Sequence, residues 1–96
     1  MRTFLVLFLF SSSLIAQTKG IVVDENKLPI PYVNIWVEGE NIGTTSEEDG
    51  TFVIDSNDGN KNLIFSILGF EKKTIKLSQA KEVVLQSITN ELNEIV

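Results

Sequence analysis

The chain has 96 residues, 13 acids against 8 lysines and arginines, a formal charge of −5, and neither cysteine nor histidine. These counts exclude disulfide staples, histidine zinc sites and Ser-His or Cys-His nucleophilic pairs. A net acidic chain without a run of basic residues also speaks against nucleic acid or anionic lipid as a partner.

The first sixteen residues, MRTFLVLFLFSSSLIA, join one cation at Arg2 to an apolar run from Phe4 to Phe10 and a short exit ending on Ala16. That is the layout of a secretory signal peptide, with cleavage after Ala16. A retained anchor is the lesser reading, because spanning a bilayer takes about 20 apolar residues. Export would leave 80 of the 96 residues, with a charge of −6 once Arg2 is gone. Such a length buries one small core. Residues 17–86 therefore read as a single domain that does not itself insert into a membrane, and 87–96 as a tail or linker.

From Gly20 onward, β-branched and aromatic runs are cut by turn residues at intervals of about ten, the pattern of an all-β sandwich. Gly20–Asp24 is the first run, stopped by DENKLPIP, where Pro29 and Pro31 cannot donate to a ladder. In the second run, Tyr32–Glu38, alternation puts Val33, Ile35 and Val37 on one face and Tyr32, Asn34, Trp36 and Glu38 on the other. A turn at Gly39-Glu40-Asn41 precedes a short strand at Ile42–Thr45. Asp49-Gly50 then signals a hairpin into Thr51–Asp55, with Phe52 and Ile54 inward. After the turn SNDGNKN comes Leu63–Leu68, apolar on both faces and read as a central strand covered on both sides. Gly69 marks a bend before Phe70–Leu77, and Val83–Leu85 closes the sandwich. Seven strands predict two packed antiparallel sheets, with Phe52, Leu63, Phe65 and Ile67 in the core. The chain ends on Ile95-Val96 without a terminal turn, which leads us to expect a piece of something longer.

Glu47-Glu48-Asp49 is the dense acid cluster. A calcium loop sets its acids at alternate positions with a distal glutamate; here they are contiguous, and Asn60 and Lys61 stand where that glutamate should be. The cluster is read as a turn, with no metal and no cofactor. Ser46, Ser56, Ser66, Ser78 and Ser87 sit in no nucleophile motif, so no catalytic residue is assigned. Tyr32 and Trp36, sharing a polar strand face, are the candidate contacts for a carbohydrate, a peptide or a protein partner; against this, they could simply pack on a neighbouring loop or strand. Lys72 and Lys73 read as solvated edge protection.

Four pieces follow one another in register: Gly20-x-Val22-x-Asp24; Pro29-Ile30-Pro31-Tyr32-Val33-Asn34-Ile35; Gly43-Thr44-Thr45-Ser46-x-x-Asp49-Gly50-x-Phe52; and Leu63 through Phe70, LIFSILGF. Together they resemble the carboxypeptidase-regulatory-like domain of Bacteroidetes proteins, from about Lys19 to Leu85. The resemblance implies a transthyretin-like (prealbumin-like) Greek-key sandwich of seven strands and a non-catalytic accessory role. It implies a setting too, because such domains precede the plug and barrel of TonB-dependent outer-membrane receptors, on the periplasmic side. Leu92–Val96 resembles the segment leading from the domain toward the plug. Two departures stand out. Ser46 and Glu47 replace the usual Thr-Asp, and 80 residues have no room for a barrel. The expectation is an exported, non-enzymatic interaction module with a protein partner in the cell envelope. The alternative is a stand-alone periplasmic carbohydrate- or peptide-binding protein.

Overall fold

The computed structural model describes residues 17–88. The signal peptide expected at 1–16 and the Leu92–Val96 segment lie outside the described residues. Seven strands follow in order: β1 (Thr18–Asp24), β2 (Asn34–Val37), β3 (Gly43–Thr45), β4 (Thr51–Ile54), β5 (Asn62–Ser66), β6 (Lys73–Lys76) and β7 (Glu82–Leu85). They form a three-stranded sheet in the order β4-β1-β7 and a four-stranded sheet in the order β3-β2-β5-β6. This is the all-β, seven-strand, two-sheet sandwich expected.

Strand alternation builds the core. Each strand sends every second side chain inward, so Val22, Ile35, Val37, Phe52, Ile54, Leu63, Phe65, Val83 and Leu85 meet between the sheets, joined by Val33 just ahead of β2. Phe52 from one sheet and Phe65 from the other pack edge to face, with ring centroids 5.6 Å apart at 72°; such a pair adds about 0.5–1.5 kcal/mol beyond its buried area. A 3-10 turn, Leu77–Gln79, buries Leu77 and is followed by buried Ala80, closing the core from below. Ala80 also explains Gly20, since a Cβ there would strike the Ala80 carbonyl and the Phe52 ring.

Several sequence expectations are corrected. The sheets are not both antiparallel, because β1 and β7 pair in parallel, Val22 opposite Val83. Asp49-Gly50 does not join two strands of one sheet: β3 belongs to the four-stranded sheet and β4 to the other, so the turn is a corner between sheets. Tyr32 is not in β2. It takes a left-handed φ of 64°, and regular pairing starts at Asn34. β5 ends at Ser66, where its partner β2 begins, and Leu68 stands in the open rather than under a covering layer. Ile67 is only half-buried against the core, unlike Phe52, Leu63 and Phe65.

The register also sorts the loops. Asp24 lies opposite Leu85, and Asn34 opposite both Thr45 and Ser66. Connections 25–33, 46–50 and 67–72 therefore gather at one end of the sandwich, together with 86–88. Connections 38–42, 55–61 and 77–81 gather at the other, where the described chain begins.

Candidate functional site

Glu47, Glu48 and Asp49 line an open depression of about 550 Å³ with Tyr32 and Thr51. Its geometry is that of a turn organised by its own side chain. The Glu47 N–H donates to the Thr51 carbonyl (2.8 Å) and the Gly50 N–H to the Glu47 carbonyl (2.8 Å). Asp49 Oδ1 accepts from the Thr51 hydroxyl (2.6 Å) and the Thr51 N–H (3.1 Å). The hydroxyl first, and then the amide, hold the Asp49 carboxyl below its ordinary value, because both bonds favour the charged form. The Tyr32 hydroxyl donates to Glu48 Oε2 (3.2 Å). Among the described residues no three metal-ligating side chains converge.

Gly50 fixes the corner in place. Its φ is +82°, and a Cβ would fall 2.6 Å from the Val22 carbonyl and 2.9 Å from Pro29 Cβ. Only glycine combines that backbone conformation with so close an approach. Its own carbonyl accepts from the Val22 N–H (2.8 Å), and the Val22 carbonyl accepts from the Ile30 N–H (3.0 Å). One glycine thus ties the corner to β1 and to the segment entering β2.

Ser46 completes that tie. It is the buried polar residue among the described ones. Its hydroxyl donates to the Ile30 carbonyl (2.8 Å) and accepts from the Val33 N–H (2.8 Å). Its N–H and carbonyl bond the Val33 carbonyl (3.1 Å) and the Tyr32 N–H (2.9 Å). The sequence marks Ser46 only as a serine outside any nucleophile motif and as a departure from Thr. Its role is to satisfy backbone groups that the left-handed turn at Tyr32 leaves without a ladder partner. Asp24 acts alike at the preceding turn, where Oδ1 accepts from the Asn26 N–H (2.8 Å) and the Leu28 N–H (2.9 Å).

The two aromatic candidates are not brought together on one strand face. Trp36 lies half-buried on the outer face of the four-stranded sheet, opposite Gly43 on β3 and Ile64 on β5. Tyr32 stands at the end of the sandwich beside the acidic turn. Of the lysine pair, Lys73 does more than protect an edge: its Nζ donates to the Val84 carbonyl (2.8 Å), lacing β6 to β7 across the sheets. The Glu71 N–H donates to the Gln86 carbonyl (2.8 Å) and the Ile88 N–H to the Gly69 carbonyl (2.9 Å), so this seam runs past Gln86. Glu25 Oε2 accepts from the Ser87 hydroxyl (2.6 Å), and that bond holds the Glu25 carboxyl below its ordinary value.

Taken together, these residues describe an all-β module whose most distinctive side chains and glycines are occupied in turns, close packing and sheet-to-sheet bonds. The chain belongs to the CarboxypepD_reg-like domain family, whose model matches residues 18–96. It is 39% identical over 97% of its length to a TonB-dependent receptor of Formosa agariphila. It is 30% identical over 81% of its length to the TonB-dependent receptor SusC of Bacteroides thetaiotaomicron. The chain spans only 10% and 8% of those receptors. In fold it resembles a chain from a type II cohesin–X-dockerin complex of Acetivibrio cellulolyticus, with a TM-score of 0.60 and 10% identity over 75% of this chain and 58% of that one. Among the described residues no helix is long and apolar enough to cross a membrane.

Proposed function

We propose that this chain is a non-catalytic accessory module, the N-terminal sandwich of a TonB-dependent outer-membrane nutrient receptor, standing on the periplasmic side. The observation that carries the reading is its alignment, over 97% of its length, with one tenth of a TonB-dependent receptor. The role of the motif residues supports it. Gly20, Asp24, Ser46, Asp49, Gly50 and Phe52 each have a task within the fold, and none is left over as a base or nucleophile. Residues 1–16 would direct export, and the partner would be the receptor's own plug and barrel or an associated envelope complex. The coding sequence downstream of codon 96 tests this. A frame, intact or restored by one frameshift, that encodes a plug and barrel supports it; an unrelated gene after a clean stop defeats it.

A second reading, a stand-alone carbohydrate- or peptide-binding protein, is favoured by the place of Trp36, half-buried and flanked in register by Gly43 and Ile64 on the outer face of the four-stranded sheet. Trp36 is the one tryptophan, so its fluorescence reports on that face alone. Silence across a broad panel of glycans and peptides, or a response that survives Trp36→Ala, ends this reading.

A further inference from the structure

The two ends of the sandwich differ in kind. Among the described residues five large apolar side chains are exposed: Leu28 (59%), Tyr32 (58%), Val53 (41%), Leu68 (97%) and Ile88 (51%). Val53 lies in β4. The other four all sit in the connections 25–33, 67–72 and 86–88, at one end. The opposite end is built from EGENI, DSNDGNK and LSQAK, where Leu77 and Ala80 are buried and Ile42 packs against the core. Single exposed apolar residues are ordinary. Four of the five stand at one end and none at the opposite end, the distribution an interaction surface at that end would give.

Leu68 is the clearest member. Its side chain is almost wholly in solvent, so packing within the domain gives no reason for a leucine there. Exposure of so large an apolar side chain is a cost in water that burial against a partner removes.

The path of the chain says which partner. β1 and β7 run parallel, so the described chain enters at the polar end and leaves at the apolar one. The leaving residue, Ile88, donates its N–H to the Gly69 carbonyl (2.9 Å), directly beside Leu68. From there residues 89–96 can reach no further than about 26–29 Å, at roughly 3.3–3.6 Å per residue. Whatever follows Val96 is held close to this end at high effective concentration.

We propose that the end formed by Leu28, Tyr32, Leu68 and Ile88 docks onto the domain that follows in the same polypeptide, through an apolar surface on that domain. The acids at 47–49, on the same end, would face cations at its rim. This inference rests on the receptor reading above.

The experiment is site-specific photo-cross-linking in the polypeptide as its gene encodes it. Benzoylphenylalanine replaces Leu68, Leu28 or, at the polar end, Asn57, one position at a time, followed by irradiation and peptide mapping. The expected result is cross-links from positions 68 and 28 to sequence beyond Val96, and none above background from 57. Cross-links from 57 alone, from both ends alike or from neither overturn the assignment of the apolar end while leaving the receptor reading intact. A product joining two copies of this chain through position 68 overturns it in favour of a dimer. A gene that stops after Val96 removes both the occupant and the receptor reading, an outcome distinguishable from the others before any irradiation.

Discussion

Replacing Ser46 with alanine deletes one oxygen and leaves the apolar core untouched. That oxygen bridges the Ile30 carbonyl and the Val33 N–H, each at 2.8 Å, and both residues are buried. A buried donor left without a partner costs about 1–3 kcal/mol, and the lost bond to the carbonyl a further 0.5–1.5 or so. The expected destabilisation is therefore roughly 2–4 kcal/mol, a large share of the stability of a domain this small. In a domain of 60–100 residues each kcal/mol moves the melting temperature by about 4–8 °C, so the change is visible by heat or urea. Ser46→Thr keeps the hydroxyl, and Thr is the residue usual at this position in the family the sequence resembles. It is expected to retain most of the stability. Urea denaturation of residues 17–96, followed by Trp36 fluorescence, compares the three. A loss under about 0.5 kcal/mol in Ser46→Ala, or an equal loss in Ser46→Thr, refutes the assignment of the hydroxyl as the clamp between β3 and the entry to β2.

Other changes have outcomes of different kinds. Phe65→Ala removes one ring of the edge-to-face pair joining the sheets and is expected to cost about 3–5 kcal/mol in urea denaturation; a small loss would mean the sheets do not meet there. Gly50→Ala forces a side chain into a left-handed position against the Val22 carbonyl and is expected to cost at least about 1–3 kcal/mol, with an unchanged midpoint contradicting the close approach. For Asp49 the folded carboxyl lies below its ordinary value. Its contribution is therefore present above the unfolded-state value and lost as pH falls through the folded one. Asp49→Asn should flatten the acid limb of stability against pH, and an acid limb identical to that of the parent would mean the Thr51 bonds do not form in solution.

How much of this was legible in the residues follows from where the determining interactions lie. Alternation is local, so the inward sets Val33-Ile35-Val37 and Phe52-Ile54 were readable from side-chain character alone. Pairing is not local. Nothing within TTSEEDGTFVI says that its two flanks belong to different sheets, and the tight closure of Glu47 on Thr51 is what a hairpin would also show. The parallel partner of β1 lies some sixty residues away, Val83 opposite Val22, beyond any local signal. Alternation alone carries the strand two residues too far, to Tyr32; the left-handed φ there becomes intelligible only once Ser46 is seen to bond the backbone on either side of it. A buried serine satisfied by distant backbone carries no mark in its own neighbourhood. Asp49-Gly50 is strong turn chemistry, so a turn at the acidic cluster is legible, but that it is a corner between sheets, with a Gly50 Cβ clashing with Val22 and Pro29, needs the fold.

The proposed place of this sandwich as one module of a receptor is tested most directly by the size of the polypeptide that carries it. Antibody raised against residues 17–88 and used on fractionated envelopes of the source organism should detect a receptor-sized species, about ten times the length of this chain by proportion to its relatives, in the outer-membrane fraction. A species no larger than the 96-residue chain, free of that membrane, would contradict it.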